Sequence, residues 1–235
     1  MKNKFLIILM LFSVMVGFCQ NETITKNFTR TKTEKIDFSK IYYKKTGKKI
    51  EKNEFIKLVK NNPNLQIENI IGIDGEIKKY LVFFEKGKKS IKNKRNKPIT
   101  KGDLFPNFIA KTIENEKIQL KDHKGKIIIL RFELEANTFR FKKEEIKQID
   151  LLINKIEKKE EKIKSIIFFA SNELDIKEGF DLQNSNFELI PNSLNFHQKF
   201  SITRFPTTII IDKNGKLVDY FKYMEDINLN KLIKE

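Results

Sequence analysis

The sequence predicts an α/β fold with a central mixed sheet in its second half, preceded by a small N-terminal α+β unit. Two near-continuous apolar runs, Lys126-Ile-Ile-Ile-Leu-Arg-Phe132 and Ser165-Ile-Ile-Phe-Phe-Ala170, have the pattern of strands covered on both faces. Between them, Ile146, Ile149, Leu152, Ile153 and Ile156 recur on one stripe among Lys and Glu, so residues 140–163 read as an amphipathic helix. Strand, helix and strand at this spacing form a right-handed parallel crossover. Further on, two apolar runs at 207–212 and 216–221 flank Asn214-Gly215, which predicts an antiparallel hairpin with a type I′ turn.

The other elements follow in chain order. Met1-Lys-Asn-Lys4 and the apolar stretch from Phe5 to Phe18 have the layout of a secretory signal peptide. The stretch is shorter than the roughly 20 residues a membrane helix needs. Residues 1–19 are therefore read as a signal peptide cut after Cys19, which makes the protein exported, periplasmic or secreted. The alternative is a lipoprotein signal with Cys19 acylated, against which Phe18 is bulky; only then would a membrane be a partner. Residues 20–40 form a polar lead-in. In residues 41–98, Asn53 is a candidate cap for a helix carrying Phe55, Leu58 and Val59. Ile67, Ile70 and Ile71 lead into an Asp74-Gly75 hairpin turn and a strand at 80–84. The Lys-rich stretch 86–97 reads as a linker, giving a lead-in with a small unit at 20–98 and the main domain at 99–235. Within the latter, 172–186 read as helical or irregular, 187–190 as a short strand, 193–200 as a short helix, and Ile227, Leu229, Leu232 and Ile233 as the apolar side of a C-terminal helix.

Composition narrows the function. The chain has 235 residues, 21 Phe and no Trp, so Phe alone supplies large aromatic core volume. Lys and Arg exceed Asp and Glu by 16. The excess is mostly Lys dispersed along the chain, beside Glu or apolar residues, not an Arg-rich block with interleaved aromatics, so nucleic acid is set aside as a partner. The charge runs at 142–145 and 157–162 are read as a solvated helix face. Cys19 is the only cysteine; an internal disulfide needs two.

Several stretches, in order, resemble the thioredoxin-like superfamily, in particular TlpA-like exported thiol-disulfide oxidoreductases and redoxin or thiol-specific antioxidant domains. Leu104-Phe-Pro-Asn-Phe108 is similar to the family's opening segment. Leu120-Lys-Asp-His-Lys-Gly-Lys126 is similar to its turn before the first core strand. Arg204-Phe-Pro-Thr-Thr-Ile-Ile-Ile-Asp-Lys-Asn-Gly-Lys-Leu-Val218 is similar to its cis-proline strand and hairpin. The resemblance implies a three-layer sandwich over 99–235 and a cis bond before Pro206, facing the start of the long helix. It also implies that Asn137 and Arg140 stand where the family carries its two redox cysteines.

An amide and a guanidinium do neither job of that pair. Only a thiolate attacks a disulfide, and a second thiol must resolve the mixed disulfide. Peroxidase chemistry likewise starts from a thiolate. The expectation is a degenerate active site with no catalytic residue. Its cis-proline surface, comprising Phe205, Pro206, Thr207, Asn137 and Arg140, would hold an extracytoplasmic protein or peptide, in a binding or scaffold role. The alternative is an enzyme of the family type, a thiol-disulfide oxidoreductase or peroxiredoxin-like antioxidant.

No His/Cys/Asp cluster has zinc-like spacing and no phosphate loop or nucleophile elbow is present, so neither metal nor cofactor is expected. His123 is read as a solvated turn residue and His197 as a surface or boundary residue. Glu133 and Glu135, two apart on a strand, are read as a solvent-exposed strand end, with an acid pair in a cleft as the rival.

Overall fold

The computed structural model describes residues 36–84, 98–138, 141–223 and 226–234. The signal peptide, Cys19, the 86–97 linker and Arg140 lie outside the described residues.

In the N-terminal unit, β1 (Ile41–Tyr43) is followed by α1 (Lys52–Asn61), β2 (Leu65–Ile71) and β3 (Ile77–Phe84). The sheet order is β1-β3-β2, with β1 parallel and β2 antiparallel to β3. Ile41, Ile50, Phe55, Leu65, Ile67 and Val82 are buried. Helix α1 starts at Lys52 with Glu51 at the cap position. Asn53, expected to cap it, instead lies in the first turn, because Phe55 already closes a helical bond to the Glu51 carbonyl.

Beyond a short hairpin of β4 (Ile109–Lys111) and β5 (Lys117–Gln119) come β6 (Ile127–Glu133), α2 (Lys143–Asn154), α3 (Lys159–Lys162), β7 (Ile163–Phe169) and α4 (Glu173–Gly179). Then follow β8 (Phe187–Ile190), α5 (Leu194–Lys199), β9 (Thr207–Ile211), β10 (Leu217–Phe221) and α6 (Leu229–Lys234). The sheet order is β10-β9-β6-β7-β8. Strands β6, β7 and β8 are parallel, while β9 runs antiparallel to β6 and to β10. This is the mixed sheet the sequence predicts.

Alternation along β6 builds the layers, because neighbouring strand residues point to opposite faces. Ile127 and Ile129 pack with Ile146, Ile149 and Ile153 of α2, Ile176 of α4 and Leu229 of α6. Ile128, Leu130 and Phe132 pack with Phe105, Phe108, Phe196 and Phe200. Helices thus cover both faces, giving a three-layer sandwich.

Two local expectations are corrected. The helix expected over 140–163 is broken: α2 stops at Asn154, and Lys158 takes a left-handed conformation before α3. Length explains it. A straight 24-residue helix would span roughly 36 Å, whereas the seven residues of β6 span roughly 23 Å. The chain must therefore turn back early to start β7 level with β6, where Ile127 pairs with Ile163. The second hairpin does not use a type I′ turn, which needs positive φ at both central residues. Only Gly215, at φ +81°, is left-handed. The Gly215 N–H donates to the Asp212 carbonyl and the Asp212 N–H to the Lys216 carbonyl, each at 2.9 Å, so the connection is a three-residue loop ending in a bulge.

The two sheets belong to one unit, Asp37–Glu235. The Asn69 side chain donates to Gln198 at 3.0 Å, Lys199 Nζ to the Ile71 carbonyl at 3.1 Å, and the Ile109 N–H to the Ile73 carbonyl at 2.7 Å.

Phe108 is fully buried and meets Phe168, Phe196 and Phe200 edge-on at ring separations of 5.3 to 6.1 Å. Phe108→Ala should therefore cost about 3–5 kcal/mol in urea unfolding followed by far-UV circular dichroism, and Phe108→Leu clearly less. Equal, small losses would show that this layer is not the core.

Candidate functional site

The C-terminal end of β6, the segment after it, the first turn of α2 and the start of β9 meet at one end of the sheet. Two added hydrogen bonds continue the β6–β7 pairing past its end: Ala170 N–H to the Glu133 carbonyl at 3.1 Å and Ser171 N–H to the Leu134 carbonyl at 3.0 Å. Ala136 is buried. Against it lies Gly179, the last residue of α4: a Cβ there would stand 2.4 Å from the Ala136 carbonyl carbon and oxygen. Asn172 caps α4 by accepting from the Asp175 N–H at 2.9 Å. Asp175 in turn accepts from Asn137 Nδ2 at 3.5 Å. Asn137 itself is exposed. The structure thus ties Asn137 to α4.

At the other side, the Phe205–Pro206 peptide bond is cis. Phe205, Pro206 and Thr207 are each half-buried, and Thr207 Oγ1 donates to the Arg204 carbonyl at 2.8 Å. The Phe205 ring lies 5.1 Å from His197, which also meets Phe132 edge-on at 5.4 Å.

His197 is 2% exposed, contrary to the surface position expected for it. Its helix packs flat on the Phe layer, so the ring points inward. Nε2 is 3.1 Å from the Phe168 carbonyl and 3.2 Å from Ser193 Oγ, while the Ser193 hydroxyl donates to the Phe169 carbonyl at 2.7 Å. A carbonyl only accepts, so Nε2 carries a proton, and burial favours the uncharged ring. Burial pushes its pKa down to about 4. His123 is half-buried, not fully solvated; burial, then Lys164 and Lys126, lower its pKa.

The strand end is likewise not solvent-exposed at Glu133. Arg131 and Glu133 share the α2 face of β6, and both are inside, at 0% and 2% exposure. Arg131 Nε donates to Glu133 Oε1 at 2.7 Å. Its Nη1 donates to Thr208 Oγ1 at 3.3 Å, and Nη2 pairs with Glu145 Oε2 of α2 at 2.9 Å. Glu135, the other member of the supposed pair, is half-buried. Burial pushes the Glu133 carboxyl up to about 7, with Glu145 adding to the rise and Arg131 and Lys142 opposing it. The signal for this cluster was Arg131 itself, a cation in the middle of an apolar strand run, which only carboxylates can balance.

Among the described residues, no His, Cys, Asp and Glu side chains gather into a metal-donor group. Of the residues named from sequence, Phe205, Pro206 and Thr207 are consecutive and each half-buried, Asn137 bonds to α4, and Arg140 lies outside the described residues.

A central mixed sheet between two layers, with a cis X-Pro bond starting the β9 strand, defines a thioredoxin-like redoxin domain. The AhpC/TSA family model matches residues 101–220, more than half of the chain, and the chain belongs to that family. A search of curated proteins found no match. Among solved structures, the thioredoxin domain of a thiol-disulfide oxidoreductase from Bacteroides vulgatus is 19% identical, with 58% of this chain and 97% of that one covered at TM-score 0.45. A thiol:disulfide interchange protein from Bacteroides sp. is 18% identical, with 58% and 92% covered at TM-score 0.45. An uncharacterized conserved protein from Geobacillus kaustophilus is 11% identical, with 60% and 86% covered at TM-score 0.48.

Two outcomes are expected here. Gly179→Ala should lower stability by about 1–3 kcal/mol, since the methyl meets backbone that cannot rotate away; an unchanged thermal midpoint would show that α4 does not clamp residues 136–137. Glu133 and His197 should oppose each other with pH. A carboxyl held at about 7 against an ordinary 4.5 keeps its proton longer in the folded state, so its contribution weakens stability as pH rises from 4.5 to 7. His197, held at about 4 against 6.5, weakens stability as pH falls from 6.5 to 4. In urea titrations, Glu133→Gln should therefore gain on the wild type as pH rises from 4.5 to 7, by at most about 3 kcal/mol. A pH-independent difference between the two proteins would contradict the assignment.

Proposed function

We propose that this chain is an exported, non-catalytic redoxin-family protein that binds an extended segment of another protein across Phe205, Pro206 and Thr207. The observation that carries this is the cysteine count: Cys19, inside the expected signal peptide, is the only thiol in the sequence. With no thiol in residues 20–235, dithiol exchange has neither its attacking nor its resolving group. The surface beside it needs no sulfur. Phe205 offers a half-exposed apolar ring packed on His197, which in turn meets Phe132, and extended peptides are held mainly through backbone hydrogen bonds with side-chain pockets adding selectivity. Export rests on the composition of residues 1–19.

The test has two arms. The purified protein, assayed for insulin reduction and peroxide consumption, should turn over no faster than buffer. A pull-down from an extracytoplasmic fraction should capture a specific partner, and Phe205→Ala with Arg140→Ala should weaken capture at least tenfold. Turnover above buffer would favour the family's oxidoreductase reading; full capture by the double variant would remove this surface from the proposal.

A further inference from the structure

Deep in the fold, Arg131, Glu133 and Glu145 bring one cation and two carboxylates within 2.7 and 2.9 Å. The arrangement is unbalanced by one negative charge when both acids are ionised. The groups facing it do not correct this. Strand β7 presents Ile167 and Phe169 in register with Arg131 and Glu133, and β9 presents Thr208. Helix α2 and the residue before it present Glu145 and Lys142, and Lys142 is exposed. A buried excess charge is costly, so such a cluster holds a proton that a solvated carboxylate would lose.

The two carboxylates differ in freedom. Glu133 is part of the central strand and 3% exposed at its side chain, whereas Glu145, in the first turn of α2, is 23% exposed. Glu133 meets Arg131 in an aligned hydrogen bond; the Glu145 contact is close but lacks that alignment. Once Glu133 ionises, it neutralises Arg131 within the strand, and Glu145 becomes the surplus charge with a route to water.

From this geometry we infer that Arg131, Glu133 and Glu145 form a proton-operated latch. It holds the first turn of α2 against β6 while Glu133 is protonated and releases it when Glu133 ionises. Release gives one proton to solvent and frees residues 141–146, next to the redox-equivalent positions. The latch operates near neutral pH, where burial has brought the Glu133 carboxyl. It is independent of whether the Phe205 surface binds a peptide.

Amide hydrogen exchange read by mass spectrometry, with rates corrected for intrinsic pH dependence, tests it on the purified protein. Protection over residues 141–150 should fall at least threefold from pH 6 to pH 8 in the wild type. It should stay level in Glu133→Gln, which is locked closed, and in Glu145→Gln, where Arg131 and Glu133 already balance. A level wild-type profile, or the same fall in all three proteins, would overturn the latch. Should either variant fail to fold, ¹³C titration of the wild-type Glu133 carboxyl decides: a midpoint above pH 5.5 supports the latch and one below it overturns the latch.

Discussion

The structure is organised around one buried cation. Arg131 sits at the middle of the central sheet with no exposure, and a guanidinium cannot shed its proton to escape the cost of burial. Its surroundings are what that cost dictates. A carboxylate lies two residues on along the same strand, a hydroxyl on the neighbouring strand β9, and a second carboxylate on the helix above. These partners come from β6, β9 and α2, so the ion cluster ties those three elements together. Removing one partner of a buried pair typically costs about 3–5 kcal/mol, comparable to deleting a core Phe.

The two faces of the sheet do different work. The α2 face is dominated by Ile from β6, β7 and α2, with Phe141, Phe169 and Phe187 beside them and Arg131 and Glu133 set into it. The opposite face is where the Phe residues gather, with rings of Phe108, Phe132, Phe168, Phe196 and Phe200 in mutual edge-on, tilted or stacked contact. In a chain without Trp this stack supplies the rigidity beneath Phe205. His197 fits among the rings because burial keeps it neutral, and its one donor reaches the Phe168 carbonyl. The N-terminal sheet braces the same helix from outside, through Asn69 to Gln198 and through Phe196 lying where a Cβ on Gly75 would be.

What the sequence made legible was whatever is encoded within a short window. The strands β6 and β7, the apolar stripe of α2, the two-strand hairpin at Asn214-Gly215 and the C-terminal helix all show their periodicity over five to twelve residues, and the structure has them. What stayed hidden depends on partners distant in the chain. Glu133 looks like a strand end, and only α2, covering it from residue 145, makes it a buried acid. His197 looks like a polar residue on a short helix, and only the Phe layer beneath shows that it faces inward. The break at Lys158 follows from the length of β6, a comparison between two elements that neither stretch contains by itself. For the candidate site, Phe205–Thr207 and Asn137 were all named by resemblance; the first three are contiguous in the chain, whereas the Asn137 hydrogen bond runs to Asp175 of α4.

That hydrogen bond is one of several contacts that fix the segment after β6. In a redox site the segment after the first core strand must present a reactive group, and its backbone has to be fixed whatever that group is. Here the fixing is done by features that need no sulfur: two strand-like hydrogen bonds from Ala170 and Ser171, the closely packed Gly179, and the capped N-terminus of α4 reaching Asn137. The contacts of Ala170, Ser171 and Gly179 involve only backbone, whereas the link to Asp175 is made by the Asn137 amide itself. The architecture of this segment is therefore held largely by backbone contacts, whichever side chain it presents.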